Sequence, residues 1–283
     1  MPPTILITGA SGHAGTEVVS ALRASYPSVA VRTATRHPKR AALPASVYLD
    51  FRDPRTFRDA VSGCTSVFLL RPPSISNTRD TLNRFITVAR NEGVARIVFL
   101  SVAGADDLPF IPHHAVEHHL RSGPPDWTIL RPGFFAQNLA SAYHEDIMQA
   151  NRLYLPAGNG RVAFVDLRDV GAVAAQALVP RSAHAEAAYT LTGPASYTFY
   201  DVARLLSAHV GRHVDYVPAS IPGYLYHTTM RRGFMQAVVQ TMLHVGLRFG
   251  QAATVDPTLA RLLDRPPYTV ADYIQEHAPL WRR

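Results

Sequence analysis

An uninterrupted apolar run, Ile5-Leu6-Ile7, leads through Thr8 into Gly9-Ala10-Ser11-Gly12-His13-Ala14-Gly15. Consecutive apolar residues suit a strand buried on both faces, and such strands belong to parallel sheets covered by helices. The glycines that follow permit a positive φ and leave the backbone bare. Val18, Val19 and Leu22 then fall on one face of a helix that starts near His13 and ends near Tyr26-Pro27. The free amides and positive end of such a helix face whatever lies in the turn, and a pyrophosphate suits them. The spacing Gly-x-x-Gly-x-x-Gly does not by itself separate a phosphate cradle from an ordinary strand-to-helix connection.

The pattern repeats along the chain. Strands are expected over 29–35, 46–50, 67–70, 97–101 and 127–131, with helices over 55–61, 78–91 and 111–121. Strands alternating with helices specify an α/β protein, a Rossmann-type doubly wound parallel sheet whose ligands sit at the carboxyl ends of the strands. Gly9, Arg36, Asp50, Arg71 and Ser101 all fall at such ends. Beyond 150 the elements shorten: 162–165, a helix over 167–178, 188–191, a helix over 199–210, and 214–217. The expected division is a cofactor-binding core over 1–150, followed over 151–283 by the sheet's remaining strands and a small C-terminal substrate-side lobe. Between Pro218 and Gly250 lies a stretch rich in aromatics and methionine, including Tyr224, Tyr226, His227, Met230, Phe234, Met235 and Met242. It suits either a pocket wall, since methionines adapt to irregular apolar ligands, or plain helical core.

In a dinucleotide fold the residue after the second strand meets the adenosine ribose, where an acid bonds free hydroxyls and a base accepts a 2′-phosphate. No Asp or Glu occurs between Glu17 and Asp50, and Arg36 stands at that position, followed by Lys39. NADP is therefore expected over NAD, with a solvated basic turn as the alternative. The formal charge of +7 is spread singly, with no basic run longer than a pair, so nucleic acid is not an expected partner. Cys64 is the only cysteine, which rules out an internal disulfide and fits a reducing compartment. Met1-Pro2-Pro3 leads directly into the first strand, and no apolar run reaches the roughly 20 residues of a membrane span, so a cytoplasmic protein without membrane attachment is expected. His113, His114, His118 and His119 crowd one helix, and His114 and His118 share a face. No second ligand cluster accompanies them, and no metal is expected.

Several segments together carry a resemblance. They are the glycine turn, Arg36-His37-Pro38, Ile97-Val98-Phe99-Leu100-Ser101, His113-His114-x-x-Glu117 and Thr128-Ile129-Leu130-Arg131-Pro132-Gly133-Phe134-Phe135. Val165-Asp166-x-Arg168-Asp169-Val170, Leu191-Thr192-Gly193-Pro194 and Asp272-Tyr273-Ile274 continue it. Over nearly its whole length the chain resembles an atypical short-chain dehydrogenase/reductase of the NmrA-like type, a group with bacterial quinone oxidoreductases and fungal alkaloid reductases. The resemblance implies one NmrA-like domain overall and NAD(P) binding, with Thr8, Gly9, Ser11, Gly12, His13 and Ala14 around the pyrophosphate and Arg36 and Lys39 at the 2′-phosphate. Asp50, Phe51, Leu70, Arg71, Pro72 and Ser101 complete the expected cofactor contacts, and Pro132, Gly133 and Phe134 are placed behind the nicotinamide. Phe135, Asn138, Tyr143, Tyr224, Tyr226 and His227 are the expected substrate-pocket residues, and a homodimer is a family-level expectation.

The wider superfamily uses a Tyr-x-x-x-Lys pair, in which the lysine lowers the tyrosine pKa. With Lys39 the only lysine, that pair is absent; His114 falls at the lysine position and Phe110, which has no exchangeable proton, at the tyrosine position. The expected catalytic residues are His114, which relays or positions a proton, with another side chain or water as the alternative source, and Ser101, which orients substrate or nicotinamide. The expected activity is NADPH-dependent reduction of a fairly apolar quinone, enone or iminium compound. A redox sensor without turnover, and an isomerase or cyclase of secondary metabolism on the same fold, stay open at this point.

Overall fold

In the computed structural model, which describes residues 3–38, 45–124, 126–179 and 183–282, the chain forms two compact units. Unit 1 takes Met1–Pro132 and Leu167–Leu191; unit 2 takes Gly133–Asp166 and Thr192–Arg283. The chain thus changes unit after Pro132, Asp166 and Leu191 rather than at a single boundary.

In unit 1, β1 (Thr4–Thr8) passes into α1 (His13–Ser25), then β2 (Ala30–Thr35) and β3 (Ser46–Tyr48). Asp53 caps the turn at Pro54 that opens α2 (Phe57–Val61), and β4 (Ser66–Leu70) follows. A wide-pitched turn, Arg79–Asn83, runs into α3 (Arg84–Asn91), then β5 (Arg96–Leu100), α4 (Pro112–Arg121) and β6 (Trp127–Pro132). In unit 2 come β7 (Phe134–Phe135), α5 (His144–Ala150), β8 (Arg152–Leu155), β9 (Arg161–Val162) and β10 (Phe164–Val165). The chain returns to unit 1 with α6 (Leu167–Leu178) and β11 (Ala187–Leu191). Unit 2 is completed by β12 (Tyr197–Thr198), α7 (Phe199–Val210), β13 (Asp215–Pro218), α8 (Ile221–Arg232), α9 (Phe234–Leu247), α10 (Thr258–Leu263) and α11 (Val270–His277).

The main sheet has seven parallel strands in the order β11-β6-β5-β4-β1-β2-β3. After β3 the chain jumps back across β1 to start β4, so the winding reverses between β1 and β4. The crevice at the carboxyl ends of these two strands is where doubly wound sheets hold ligands. Ile5, Leu6, Ile7, Val67, Phe68 and Leu69 are fully buried, as strands covered on both faces require. On one side Phe51, Phe57 and Phe85 pack edge to face, with ring centres 5.3–6.5 Å apart.

Among the described residues, β11 is the only late strand that joins this sheet. The expected strand over 162–165 is split: β9 runs antiparallel to β12, and β10 runs parallel to β7. Ala163 between them donates its amide to the Ala252 carbonyl (2.7 Å), which breaks the ladder. The expected 214–217 strand is β13, paired with β8 rather than with the main sheet. β8 is a strand beyond those expected from the sequence; its Arg-Leu-Tyr-Leu alternation follows Asn151, which caps α5 in the left-handed region (φ 50°). The unit 2 core gathers Phe164, Phe199, Tyr143, Tyr216, Tyr273 and Trp281. In the 218–250 stretch, Tyr224 and His244 are buried, whereas Met230, Met235 and Met242 are about 70% exposed, so the methionines are not core. Among the described residues no helix is long and apolar enough to cross a membrane.

Candidate cofactor and active site

The end of β1 is tied to β4 by one hydroxyl: Thr8 Oγ1 donates to the Phe68 carbonyl (3.0 Å) and accepts from the Leu70 amide (2.8 Å). Gly9 follows at φ 66°, where a side chain is strained, and the Gly12 amide closes the turn on the Gly9 carbonyl at 2.9 Å. Among the described residues Gly12 caps α1 without a side-chain cap bond, and no acid occupies the first turn. The positive end of α1 therefore opens uncompensated into the turn. Gly15 is required for contact: a Cβ there would stand 2.3 Å from the Gly9 carbonyl oxygen. From the other side, a Cβ on Gly171 of α6 would stand 2.8 Å from the Glu17 carbonyl carbon of α1.

In front of this turn lies a cavity of about 350 Å³. Of the residues expected to hold cofactor, Thr8, Gly9, Ser11, Gly12, His13 and Ala14 form its floor, and Arg36, Asp50, Phe51, Leu70 and Pro72 contribute to its walls. Sequence reading missed Thr35, His37, Arg52, Ser74 and Ile75, which also line it. The signal for them was available, because all flank strand ends already identified. Arg36 is exposed and makes no hydrogen bond or ion pair among the described residues. Asp50 Oδ1 accepts from the Arg52 amide (2.9 Å), and the Arg52 guanidinium reaches the Ser74 carbonyl (3.2 Å). Lys39 lies outside the described residues.

Arg71 is not part of the cavity wall but holds it in place. Its Nη1 donates to the carbonyls of Ile75 (2.5 Å) and Pro72 (3.2 Å), and its Nε to His113 Nε2 (3.2 Å). Burial lowers the Arg71 pKa, and burial followed by the Arg71 charge pushes His113 down to about 4. His113 is thus a neutral strut between α4 and the end of β4.

Ser101 and His114 lie in one polar cluster of unit 1. Ser101 is buried, and its hydroxyl donates to Glu117 Oε1 at 2.5 Å. Arg131 grips the same carboxylate with two bonds, Nε to Oε1 (3.0 Å) and Nη2 to Oε2 (2.5 Å), and sends Nη1 to Asp106 Oδ2 (2.5 Å). His114 Nδ1 lies 2.9 Å from the Ala105 carbonyl. Phe110, at the position of the superfamily tyrosine, is 81% exposed. Glu117, Arg131 and Asp106 escaped sequence reading as chemistry: Glu117 sits on a charged helix face that ordinarily reads as solvated, and its partners on β6 and in the loop after β5 are distant in sequence. Pro132 ends β6 and accepts from the Ala103 amide at 3.0 Å. Among the described residues no three His, Cys, Asp or Glu side chains are grouped to hold a metal ion.

In unit 2, the ring of Phe134 packs edge to face on Phe164 and Phe199, with centres 5.5 and 6.2 Å away. Gly133, Phe135 and Asn138 are half-buried. Tyr143, Tyr224 and His227 meet around a cavity of about 30 Å³, together with Asp146, whose carboxylate takes His227 Nε2 (3.1 Å) and Arg231 Nη1 (3.2 Å). That space suits a water molecule rather than a ring. His244 Nδ1 donates to the Gln240 carbonyl (2.6 Å), so its Nε2 is the acceptor for the Tyr143 hydroxyl. Burial drives Tyr143 well above the usual phenol range and His244 down to about 4. Tyr226 is 70% exposed and does not line this cavity.

Residues 9–179 match the family described as NAD(P)H-binding. The chain is 32% identical to the NAD(P)H azoreductase of Xenophilus azovorans, over 97% of this chain and 98% of that protein. It is 25% identical to quinone oxidoreductase 2 of Escherichia coli, over 95% and 97% of the two chains. The crystal structure of the E. coli NADPH-dependent quinone oxidoreductase complexed with NADPH superposes with a TM-score of 0.85, at 24% identity and covering 96% of this chain and 99% of that one.

Proposed function

The chain belongs to the NAD(P)H-binding family, in the NmrA-like branch of the atypical short-chain dehydrogenases/reductases, and on that premise we propose that it is an NADPH-dependent oxidoreductase reducing a fairly apolar, conjugated small molecule. The observation that carries this reading is the glycine cradle opening on a cavity of about 350 Å³ whose far wall holds Arg36 without a partner among the described residues. The residues present fit the cofactor. Bare first-turn amides of α1 suit a pyrophosphate, and a Cβ at Gly15 would spoil the turn. A guanidinium at Arg36, with Arg52 on the same cavity, suits a 2′-phosphate.

When bound, NADPH supplies a hydride to an acceptor. The protein's part is to hold the dinucleotide and manage one proton. His114 is the proposed proton carrier: its Nδ1 is engaged by a carbonyl, and its Nε2 has no hydrogen-bond partner among the described residues. Ser101 acts in support, because its hydroxyl hydrogen is directed at Glu117. Quinones, enones and iminium compounds share the conjugated system that accepts a hydride, and the azo bond acted on by the Xenophilus relative extends the same class.

The reading assigns cofactor binding to the N-terminal Rossmann sheet and substrate selection to the C-terminal lobe, with the half-buried Phe135 and Asn138 as candidates. A cytoplasmic location, a role in secondary metabolism and a homodimeric assembly belong to it. The exposed apolar side chains of α8 and α9, including Met230, Phe234, Met235 and Met242, support the last. The test is NADPH consumption with a panel of quinones, azo dyes, enones and iminium salts. Cofactor binding without consumption on any of them replaces this reading with a sensor, which the absent Tyr-x-x-x-Lys pair favours. A product formed without net consumption replaces it with an isomerase or cyclase.

A further inference from the structure

Three ties close a ring in unit 1. Arg131, on β6, holds Asp106 of the loop that follows β5. The same guanidinium holds Glu117 of α4 with two bonds. His114, one turn earlier on α4, returns to that loop through Nδ1 and the carbonyl of Ala105, the neighbour of Asp106. The loop is further set by turns from Ala105 to Val102 (3.2 Å) and from Asp107 to Gly104 (3.2 Å), and by the Ala103 amide on Pro132. Arg131 and Glu117 have only 8% and 4% of their side chains exposed, so this ion pair sits where a broken contact is not replaced by water. Asp106, at 46%, forms the outer end of the chain.

A carbonyl oxygen only accepts hydrogen bonds, so the 2.9 Å contact places a hydrogen on His114 Nδ1. The neutral imidazole then carries its lone pair on Nε2. Which nitrogen is free depends on where the Ala105 carbonyl stands, and that carbonyl is fixed to the helix bearing His114 through Asp106, Arg131 and Glu117.

We infer that Asp106, Arg131 and Glu117 are positioning residues that hold the Ala105 carbonyl against His114 and so set its tautomer, making Nε2 the atom that takes up and delivers the proton. The role of His114 in turnover rests on the functional reading above; the tautomer does not. Ser101 belongs to the same device, since its hydroxyl shares Glu117 Oε1 with Arg131 Nε.

The experiment is nitrogen-proton correlation NMR on full-length protein labelled with 15N-histidine, with the His114 signals assigned from H114Q. In its neutral form, wild-type His114 is expected to carry its hydrogen on Nδ1. D106N, altered at a half-exposed site and so expected to fold, should show mixed tautomers, and D106E should restore the single form. Turnover of a quinone should fall about tenfold in D106N with the Kd for NADPH unchanged, and recover in D106E. A wild-type Nε2–H signal, or a D106N spectrum identical to wild type at His114, overturns the inference. If the tautomers behave as expected while H114Q turns over at the wild-type rate, the positioning device stands and the proton-carrier role of His114 falls.

Discussion

Gly15→Ala tests whether the cradle is built on contact rather than on flexibility. The added Cβ would stand 2.3 Å from Gly9 O, 2.6 Å from Gly9 C and 2.8 Å from Ala10 Cα, all backbone atoms that cannot rotate aside. Relief needs a displacement of about 1 Å, and forcing an extra carbon into packed structure costs about 1–3 kcal/mol, here at the upper end. Alanine returns up to about 1 kcal/mol of helix propensity, so the net loss is about 2 kcal/mol. For a domain of this size that lowers Tm by roughly 4–8 °C. α1 cannot simply retreat, because Gly171 already meets Glu17 without room for a methyl group. The turn must move instead, misaligning amides whose bonds to a charged group are worth about 1.5–3 kcal/mol each. Losing one of them raises the Kd for NADPH by about 10- to 150-fold. Calorimetric titration with NADPH and thermal melts of the apoprotein read the two effects separately. Gly93→Ala is the control: it has φ 89° and nothing within 4 Å, so it should lose stability while keeping its affinity. A G15A protein that binds NADPH within threefold of wild type would refute the contact argument.

Arg36→Ser should weaken NADPH by about tenfold or more, increasingly at low salt, while leaving NADH unchanged; equal effects on both cofactors would remove Arg36 from the 2′-phosphate. Glu117→Ala leaves the buried Arg131 guanidinium with the half-exposed Asp106 as its one carboxylate and should cost about 3 kcal/mol, read as a drop in urea midpoint larger than that of D106N. Stability should also depend on mild acid. His113 and His244 titrate near 4 when folded against 6.5 for the model histidine, so the unfolded chain binds the extra protons. Stability from these residues is therefore full above 6.5 and falls between 6.5 and about 4, by up to about 3 kcal/mol for each histidine. Urea midpoints that stay flat from pH 7.5 to 4.5 would contradict the neutral, buried state of both rings.

What could be read from the chain and what could not divide along the range of the interactions. The Ile5-Leu6-Ile7 run, the three glycines and the strand ends at Arg36 and Asp50 are local signals, and they assemble one wall and floor of a single cavity. Ser101 is legible from its place at a strand end and His114 from the family resemblance, but their partners are not legible. Glu117 lies 14 residues from Arg131 and Asp106 lies 25, and nothing in a charged helix face announces that it turns inward. The Tyr143 hydroxyl meets a histidine 101 residues away, so its burial in a lobe core could not be told from a pocket position. Strands of two residues, such as β7, β9, β10 and β12, have too few side chains to show a period, and the sheet pairings they enter were not legible.

Gly9, Gly15 and Gly171 leave the first turn of α1 no slack in either direction. In kinetic language, that makes capture of the dinucleotide a docking event, limited by encounter and orientation and not by rearrangement of the turn. Little ordering entropy remains to be lost at the pyrophosphate when the cofactor arrives. Variation in affinity among substitutions around the cradle is then carried by residence time, with association rates nearly constant.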